Sequence, residues 1–289
     1  MGNVISANLG QAPARQAALQ AGLPESTICT TINKVCSSGM KAISLGAQSV
    51  MLGFNGVVVA GGMENMSRAP YYLDARRGGL GFGDQKMTDA VLKDGLWDPK
   101  YQMHMGNCAE ETADKMKIGR EEQDAYARES YERAAKATQT GKFKKEIVSV
   151  QLKSGVFEED EEFKKGDFDK MTKLKPAFKS EVGTITAANS STLSDGAAAV
   201  LLTSIEVAEK EGLQPLARII SFADAECNAK DFPVAPSLAV ALALKRAGLR
   251  VSDIDLFEIN EAFSVVALAN QKVLKDDHVI IFINHIFSY

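Results

Sequence analysis

Gly56-Val57-Val58-Val59-Ala60-Gly61-Gly62 is a short, unbroken apolar run closed at both ends by glycine. Such a run reads as a strand covered on both faces, the kind found in parallel sheets. Ahead of it, Thr30-Thr31-Ile32 is a β-branched run that reads as a strand or its frayed end. Between the two, Met40, Ile43, Leu45, Ala47, Val50, Met51 and Leu52 lie almost all round one helix, which predicts a buried helix closed by Gly53. Strand, helix, strand in this order implies an α/β unit. Farther upstream, Gln11 to Ala21 has helical spacing and stops at Gly22-Leu23-Pro24, while Met1-Gly2-Asn3-Val4-Ile5 looks like a strand end already inside a fold.

The helix begins in Asn33-Lys34-Val35-Cys36-Ser37-Ser38-Gly39-Met40-Lys41. Ser37, Ser38 and Gly39 suit a first turn better than a helix interior, so Cys36 belongs at or beside the N-terminus. Unpaired N–H groups and the positive dipole end there favour a thiolate. A reactive nucleophile and a buried structural cysteine are equal readings on position alone.

Of the 289 residues, 45% are hydrophobic and 24% charged, as in an ordinary soluble globular chain of one large or two middling domains. The balance of 33 basic and 37 acidic residues gives no reason to expect nucleic acid. Cys29, Cys36, Cys108 and Cys227 are irregularly spaced without a CxxC, so neither a disulfide framework nor a zinc site is indicated. That usage suits a reducing compartment. No apolar run approaches a membrane span, and no membrane partner is expected.

From Met63 to about Gly183 the character changes. Gly79-Leu80-Gly81-Phe82-Gly83 has no preceding strand and no helix directly after it, so it reads as a loop and not a dinucleotide fingerprint. Helices are expected from Gly106 to Met116 and from Arg120 to Thr140. Glu158 to Glu162, followed by Lys164-Lys165, reads as a solvated charged face. A long polar insertion between strands is a common way to cover a site at strand ends. Thr184 to Thr192 is a small, polar loop suited to close backbone approach, and its Asn189-Ser190-Ser191 sequon is discounted for lack of any sign of secretion. Ala197 to Thr203 reads as a second buried strand and Ser204 to Gly212 as a short helix. A second half begins near Pro215: strand Ala217–Ala223, helix Pro236–Ala247, strand Ile254–Ile259, helix Ser264–Leu274.

Asn33-x-x-Cys36-x-Ser38-Gly39 resembles the nucleophile motif of the thiolase family. The likeness continues through Ala60-Gly61-Gly62-Met63-Glu64, His104-Met105-Gly106, Ala187-Ala188-Asn189-Ser190-Ser191, Asp195-Gly196-Ala197-Ala198 and Asn260-Glu261-Ala262-Phe263, over nearly all of Met1 to Lys275. It is nearest to the acetoacetyl-CoA-forming branch of animal mitochondria. The resemblance implies an α/β thiolase-like fold: two βαβαβαββ halves in five layers with an inserted loop domain, both halves incomplete here. It places an N-terminal thiolase domain at 1–214 with the loop domain at about 63–183, a partial C-terminal domain at 215–275, and a non-family tail at 276–289.

The implied activity is acyl-CoA C-acetyl transfer, in which two acetyl-CoA molecules condense reversibly to acetoacetyl-CoA and CoA through an acyl thioester on Cys36. Asn260 would hold an oxyanion-hole water, although a helix-cap role for Asn260 also fits its position. The Cys36 N–H would serve the other oxyanion hole. His104 and Met105 would line the acyl pocket, the bland alternatives being a satisfied histidine and a core methionine. Coenzyme A contacts fall to Lys165, Asp167, Lys170 and Ser191. The family typically has Arg where Lys165 stands, and Lys keeps the charge without the flat guanidinium. Tyr131, Ala187, Ala188 and Ser190 match a potassium site. Beyond potassium no tightly bound cofactor is implied. A homotetramer and a mitochondrial matrix location, rather than a cytosolic one, are implied, with the targeting segment outside this chain.

Two expected motifs are absent from the sequence: the Gly-His-Pro histidine that activates the nucleophile and the Cys-x-Gly-Gly-Gly base. His278 and His285 lie in other contexts. The chain therefore reads either as an acetyltransferase whose activity belongs to a complete polypeptide, or as a truncated, catalytically incompetent form that binds CoA esters or thiolase subunits.

Overall fold

The computed structural model describes residues 1–74 and 77–274; the tail expected at 276–289, with His278 and His285, lies outside them. In chain order the elements are α1 Pro13–Gln20, α2 Ser38–Met51, β1 Val57–Asn65, β2 Tyr71–Tyr72, β3 Thr88–Asp89, β4 Trp97–Asp98, β5 Met103–His104, α3 Met105–Met116, α4 Arg120–Gln139, β6 Val150–Leu152, β7 Gly155–Phe157, α5 Phe168–Met171, β8 Asp195–Thr203, α6 Ile205–Lys210, α7 Ala235–Ala247 and α8 Ser264–Leu274. Packing divides them into two units: Met1–His104 with Leu193–Phe222, and Met105–Thr192 with the described residues from Ala223 onward.

The first unit is built on β1. Its first neighbour is the N-terminal segment, where Gly2 donates to Gly61 O (2.8 Å) and accepts from Met63 N (3.0 Å). Asn3 N in turn bonds Ile32 O at 3.0 Å, so residues 30–32, residues 1–3 and the middle of β1 run parallel. The expected strand at Thr30–Ile32 survives only as this isolated bridge. On its other side β1 pairs antiparallel with β8, from Val57 opposite Thr203 to Asn65 opposite Asp195. The parallel reading of Gly56–Gly62 thus holds on one edge and is corrected on the other.

Burial also departs from expectation. Ala60, Gly61 and Gly62 are buried, but β8 is largely exposed, with Val200 at 45% and Leu201 at 55%. Within this unit α2 covers one face of the β1–β8 ribbon, while Val57, Val59 and Leu201 on the other are exposed among the described residues. The same one-sidedness corrects the reading of α2 as buried all round. Gly39, Ala42, Gly46 and Ala47 face inward, while Met40, Leu45, Met51 and Leu52 are exposed. Small residues set that contact: a Cβ on Gly46 would stand 2.9 Å from a Leu202 methyl. A carboxylate fastens the N-terminal segment, since buried Glu64 accepts from Asn3 Nδ2 (3.0 Å), Val4 N (2.8 Å) and Ile5 N (3.2 Å). Gly79–Gly83 is loop, as expected.

The second unit has a dense core. α8 is buried from Ser264 to Asn270. Around it Ala109 and Ala113 of α3, Tyr126 of α4, Ile118, Ile185, Phe257, Ile259 and Phe263 form one cluster. Burying each large aliphatic side chain contributes roughly 1.5–3 kcal/mol. α3 packs closely on this core because Gly106 leaves room for the Phe178 ring, which meets Phe263 edge-on at 5.9 Å. Buried Glu110 accepts from Thr184 N (2.9 Å), Thr184 Oγ1 (3.0 Å) and Ile185 N (2.9 Å), fixing the start of the 184–192 loop. Asn270, also fully buried, accepts from Ser237 N at 2.9 Å and donates to Pro233 O at 2.7 Å, joining α7 to α8.

No strand forms at 217–223 or 254–259 among the described residues. A strand is completed by a partner's hydrogen bonds. Without a ladder, 217–220 is irregular and exposed, while Phe257 and Ile259 keep the period-two alternation by facing the core. The charged stretch 158–162 is corrected at one position: Glu162 is buried.

Candidate functional site

In the first unit the nucleophile candidate sits on a tightly tied turn. α2 starts at Ser38 with Ser37 as its cap residue, so Cys36 lies just outside the helix. Asn33 Oδ1 accepts from Val35 N (2.8 Å), and Ser38 Oγ accepts from Lys34 N (2.8 Å) while donating to Val35 O (2.6 Å). Ser37 Oγ donates to Lys34 O at 2.9 Å. These bonds hold Val35 at φ +48°, a conformation that a β-branched residue rarely adopts and that persists only where its surroundings enforce it.

Cys36 itself is exposed. Its sulfur is reachable, yet the protein packed around it pushes its thiol up from the ordinary value, and its own backbone N–H only partly offsets this. Desolvation thus works against the thiolate that the position beside the helix start favours. His104 ends this unit in β5, opposite Trp97, half-buried, and burial lowers its pKa. Met105 opens the second unit and packs against its core, which fits the bland reading of that residue.

The second unit brings together most of the other residues singled out in the sequence. Ser191 N bonds Ala262 O at 3.0 Å and Ser264 N bonds Asn189 O at 2.9 Å, so the 189–191 loop lies along the 262–264 segment. Asn189 is the loop's anchor, donating to Asp124 Oδ1 (2.8 Å) and accepting from Thr186 N (2.8 Å). Asp124 is itself held by Arg120 Nε at 2.7 Å. The result is a pocket walled by Tyr126, Ser130 and Tyr131 of α4, by Ala188, Ser190 and Ser191, and by Glu261. Asn260, half-buried, has no hydrogen-bond partner among the described residues, and α8 begins four residues later. The capping role is absent and the amide is left for other partners.

Glu261 is the residue that sequence reasoning passed over, although it stands inside a quoted motif. Tyr126 OH and Ser130 Oγ (2.8 Å) both donate to its carboxylate. Burial raises its pKa, and these donors pull it back only in part.

On its other side Tyr131 meets the segment 162–170. Its hydroxyl donates to buried Glu162 at 3.0 Å, and its ring meets Phe168 edge-on at 6.2 Å. Lys165 Nζ reaches the other Glu162 oxygen at 3.0 Å, and Lys170 Nζ pairs with Asp167 at 2.7 Å. Both lysines are shifted up and Asp167 down, in each case chiefly by the partner's hydrogen bond. Tyr131 is thus shared between the pocket that holds Ala188, Ser190 and Ser191 and the segment that carries Lys165, Asp167 and Lys170. Ala187 is exposed and does not line the pocket.

The family model described as "Thiolase, N-terminal domain" matches residues 1–206, and that described as "Thiolase, C-terminal domain" matches residues 213–284. Mitochondrial acetyl-CoA acetyltransferase of Mus musculus is 55% identical over 282 residues, 96% of this chain and 66% of the mouse protein. A probable acetyl-CoA acetyltransferase of Dictyostelium discoideum is also 55% identical, over 96% of this chain and 68% of that protein. The crystal structure of Acat5 thiolase from Ascaris suum in complex with coenzyme A superposes with a TM-score of 0.92 at 48% identity, over 96% of this chain and 72% of that one. The fold is therefore that expected from the motifs, and the chain spans about two thirds of the length of the curated relatives it matches.

Proposed function

The chain belongs to the thiolase family, and from that premise we propose that it carries the acyl-accepting part of an acetyl-CoA C-acetyltransferase. The observation that carries this reading is the exposed Cys36 on a turn fixed by Asn33, Ser37 and Ser38. Its sulfur attacks the thioester carbonyl of acetyl-CoA, a C–S bond forms to Cys36, and CoA leaves as a thiolate that takes up the proton lost by the cysteine. The free amide of Asn260 supports its role in holding a water against an enolate oxygen in the second step, condensation to acetoacetyl-CoA. That step belongs to the whole protein represented by the relatives.

Coenzyme A esters are the substrates proposed, with Ser191 on the pantetheine arm and Lys165, Asp167 and Lys170 toward the nucleotide. His104 and Met105 are proposed to border the acyl group. Potassium is proposed for the pocket beside Tyr131, Ala188 and Ser190. The Glu261 carboxylate and the hydroxyls of Ser130, Tyr131 and Ser190 are oxygen groups of the kind that suit a hard cation, which would supply charge compensation there; Ala187, being exposed, contributes less than the sequence match implies. The domain boundary near 214/215, with the loop domain at 63–183, the homotetramer and the mitochondrial matrix complete the proposal. The two family models, which end at 206 and begin at 213, support that boundary. No helix among the described residues is long and apolar enough to cross a membrane.

The raised thiol of Cys36 favours a second reading, a CoA-ester binder that does not turn over. Incubation with acetyl-CoA followed by mass spectrometry of the intact chain and of its peptides separates the two. The acyltransferase reading expects one acetyl group on the Cys36 peptide, absent from Cys36→Ser. An unmodified Cys36 in a chain that still binds CoA would establish the second reading.

A further inference from the structure

Both lysines at the nucleotide end of the proposed CoA site are already occupied: Lys165 by Glu162 (3.0 Å) and Lys170 by Asp167 (2.7 Å). A lysine tied to a carboxylate offers little net charge to a phosphate. Arg128 differs. It is exposed on α4, one turn before Tyr131, and its guanidinium lies 4.7 Å from the centre of the Phe168 ring. Among the described residues it makes no ion pair. Phe168 is in turn fixed by the edge of Tyr131 and by the close turn at Gly166, where a Cβ would stand 3.1 Å from the Tyr131 ring and 3.4 Å from Phe168. The guanidinium of this exposed residue therefore rests on an aromatic platform held by Tyr131 and Gly166.

We propose that Arg128 is the residue that recognises the adenosine-phosphate end of coenzyme A, its guanidinium sandwiched between Phe168 and the adenine while its N–H edge meets a phosphate. A planar guanidinium does both at once: it stacks on π-faces and donates two parallel hydrogen bonds to phosphate, which an ammonium cannot. Tyr131 gives the direction of the ligand. It lines the pocket with Ser190 and Ser191, where the pantetheine arm is proposed, and also contacts Glu162 and Phe168. A CoA molecule lying across Tyr131 puts its nucleotide at Arg128. The site that lost a flat cation at Lys165 regains one from a different element. This inference rests on the reading of the chain as a CoA-ester binder and adds to it the group that selects the nucleotide.

The experiment is calorimetric titration of the wild-type chain, R128A and R128K with CoA and, separately, with pantetheine, which lacks the nucleotide, all under reducing conditions. R128A is expected to weaken CoA about tenfold, the change equivalent to about 1.4 kcal/mol, and to leave pantetheine within about twofold of wild type. R128K keeps the charge and the stem over Phe168 and is expected to fall between the two. Unchanged CoA affinity in R128A overturns the assignment, as does an equal loss for both ligands, which would mark Arg128 as a support of α4 alone. A wild-type chain that binds pantetheine but gains nothing from the nucleotide also overturns it. A wild-type chain that binds neither ligand overturns the underlying CoA reading, and the assignment with it. Thermal melting of each variant separates lost folding from lost affinity.

Discussion

Thirteen buried apolar residues form one cluster in the unit of 105–192 with 223 onward, whereas the unit of 1–104 with 193–222 gathers Ile5, Ala90 and Val91 in its own. The unit of 105–192 holds the proposed CoA and cation residues. The unit of 1–104 holds Cys36 on an α2–ribbon layer whose outer surfaces keep Met40, Met51, Val59 and Leu201 in the open. Both units use a buried carboxylate to fix a loop by its backbone amides, Glu110 in one and Glu64 in the other. The difference lies in what surrounds the carboxylate. Around Glu110 side chains interdigitate, so loop position is set by packing; around Glu64 glycines bring backbone against backbone, so position is set by hydrogen bonds and close approach.

The comparison breaks first under core truncation. Ile185→Ala, at a fully buried position, is expected to cost about 3 kcal/mol through lost burial and a cavity, while Leu201→Ala on the exposed strand face costs no more than about 0.5 kcal/mol. Chemical denaturation measures both, and similar costs would mean that β8 is covered in solution. Next in size, Glu64→Ala leaves the amides of Val4 and Ile5 without an acceptor and is expected to cost about 2 kcal/mol. Hydrogen exchange should then quicken at Gly2, Asn3 and Met63 and stay unchanged in α8.

The smallest effect is a pH slope confined to the packed unit. Burial raises the Glu261 pKa above its usual 4.5, so the folded chain holds that proton more tightly than the unfolded one. Its contribution is present in full below 4.5 and is lost as pH rises through the folded value. Urea midpoints followed upward from pH 4.5 are expected to fall less steeply in Glu261→Gln than in wild type; parallel curves would place the titration elsewhere.

Where the pattern was local, the sequence was readable. The helix at Ser264–Leu274 matches residue for residue, and α3, α4 and α7 agree within a residue at each end, because periodicity and end signals act over neighbouring residues. The turn at Cys36 was legible for the same reason. Pairing was not: nothing in Gly56–Gly62 distinguishes a parallel neighbour from an antiparallel one, and β1 has both. The strands expected at 217–223 and 254–259 failed because strand propensity is completed by a partner far along the chain. Glu162 looked like one charge in an acidic run; only the fold reveals that Tyr131 and Lys165 face it. Arg128 and Phe168 are forty residues apart and share no motif.

Two glycine contacts at the start of α2 carry a consequence for altering this protein. A Cβ on Gly2 would stand 2.5 Å from the Ser38 carbonyl carbon and one on Gly62 3.3 Å from the Gly39 Cα, so the first turn of α2 rests on main chain with no side chain between. Where side chains form a contact, exchanging one methylene for another shifts a helix by fractions of an ångström, and a position can be tuned. Here there is no such graded control. The start of α2 either seats fully on the strands or lifts off by the width of a whole group, so variation in the placement of the cysteine comes in steps, and selection acting on reactivity has to work through the polar turn above it instead.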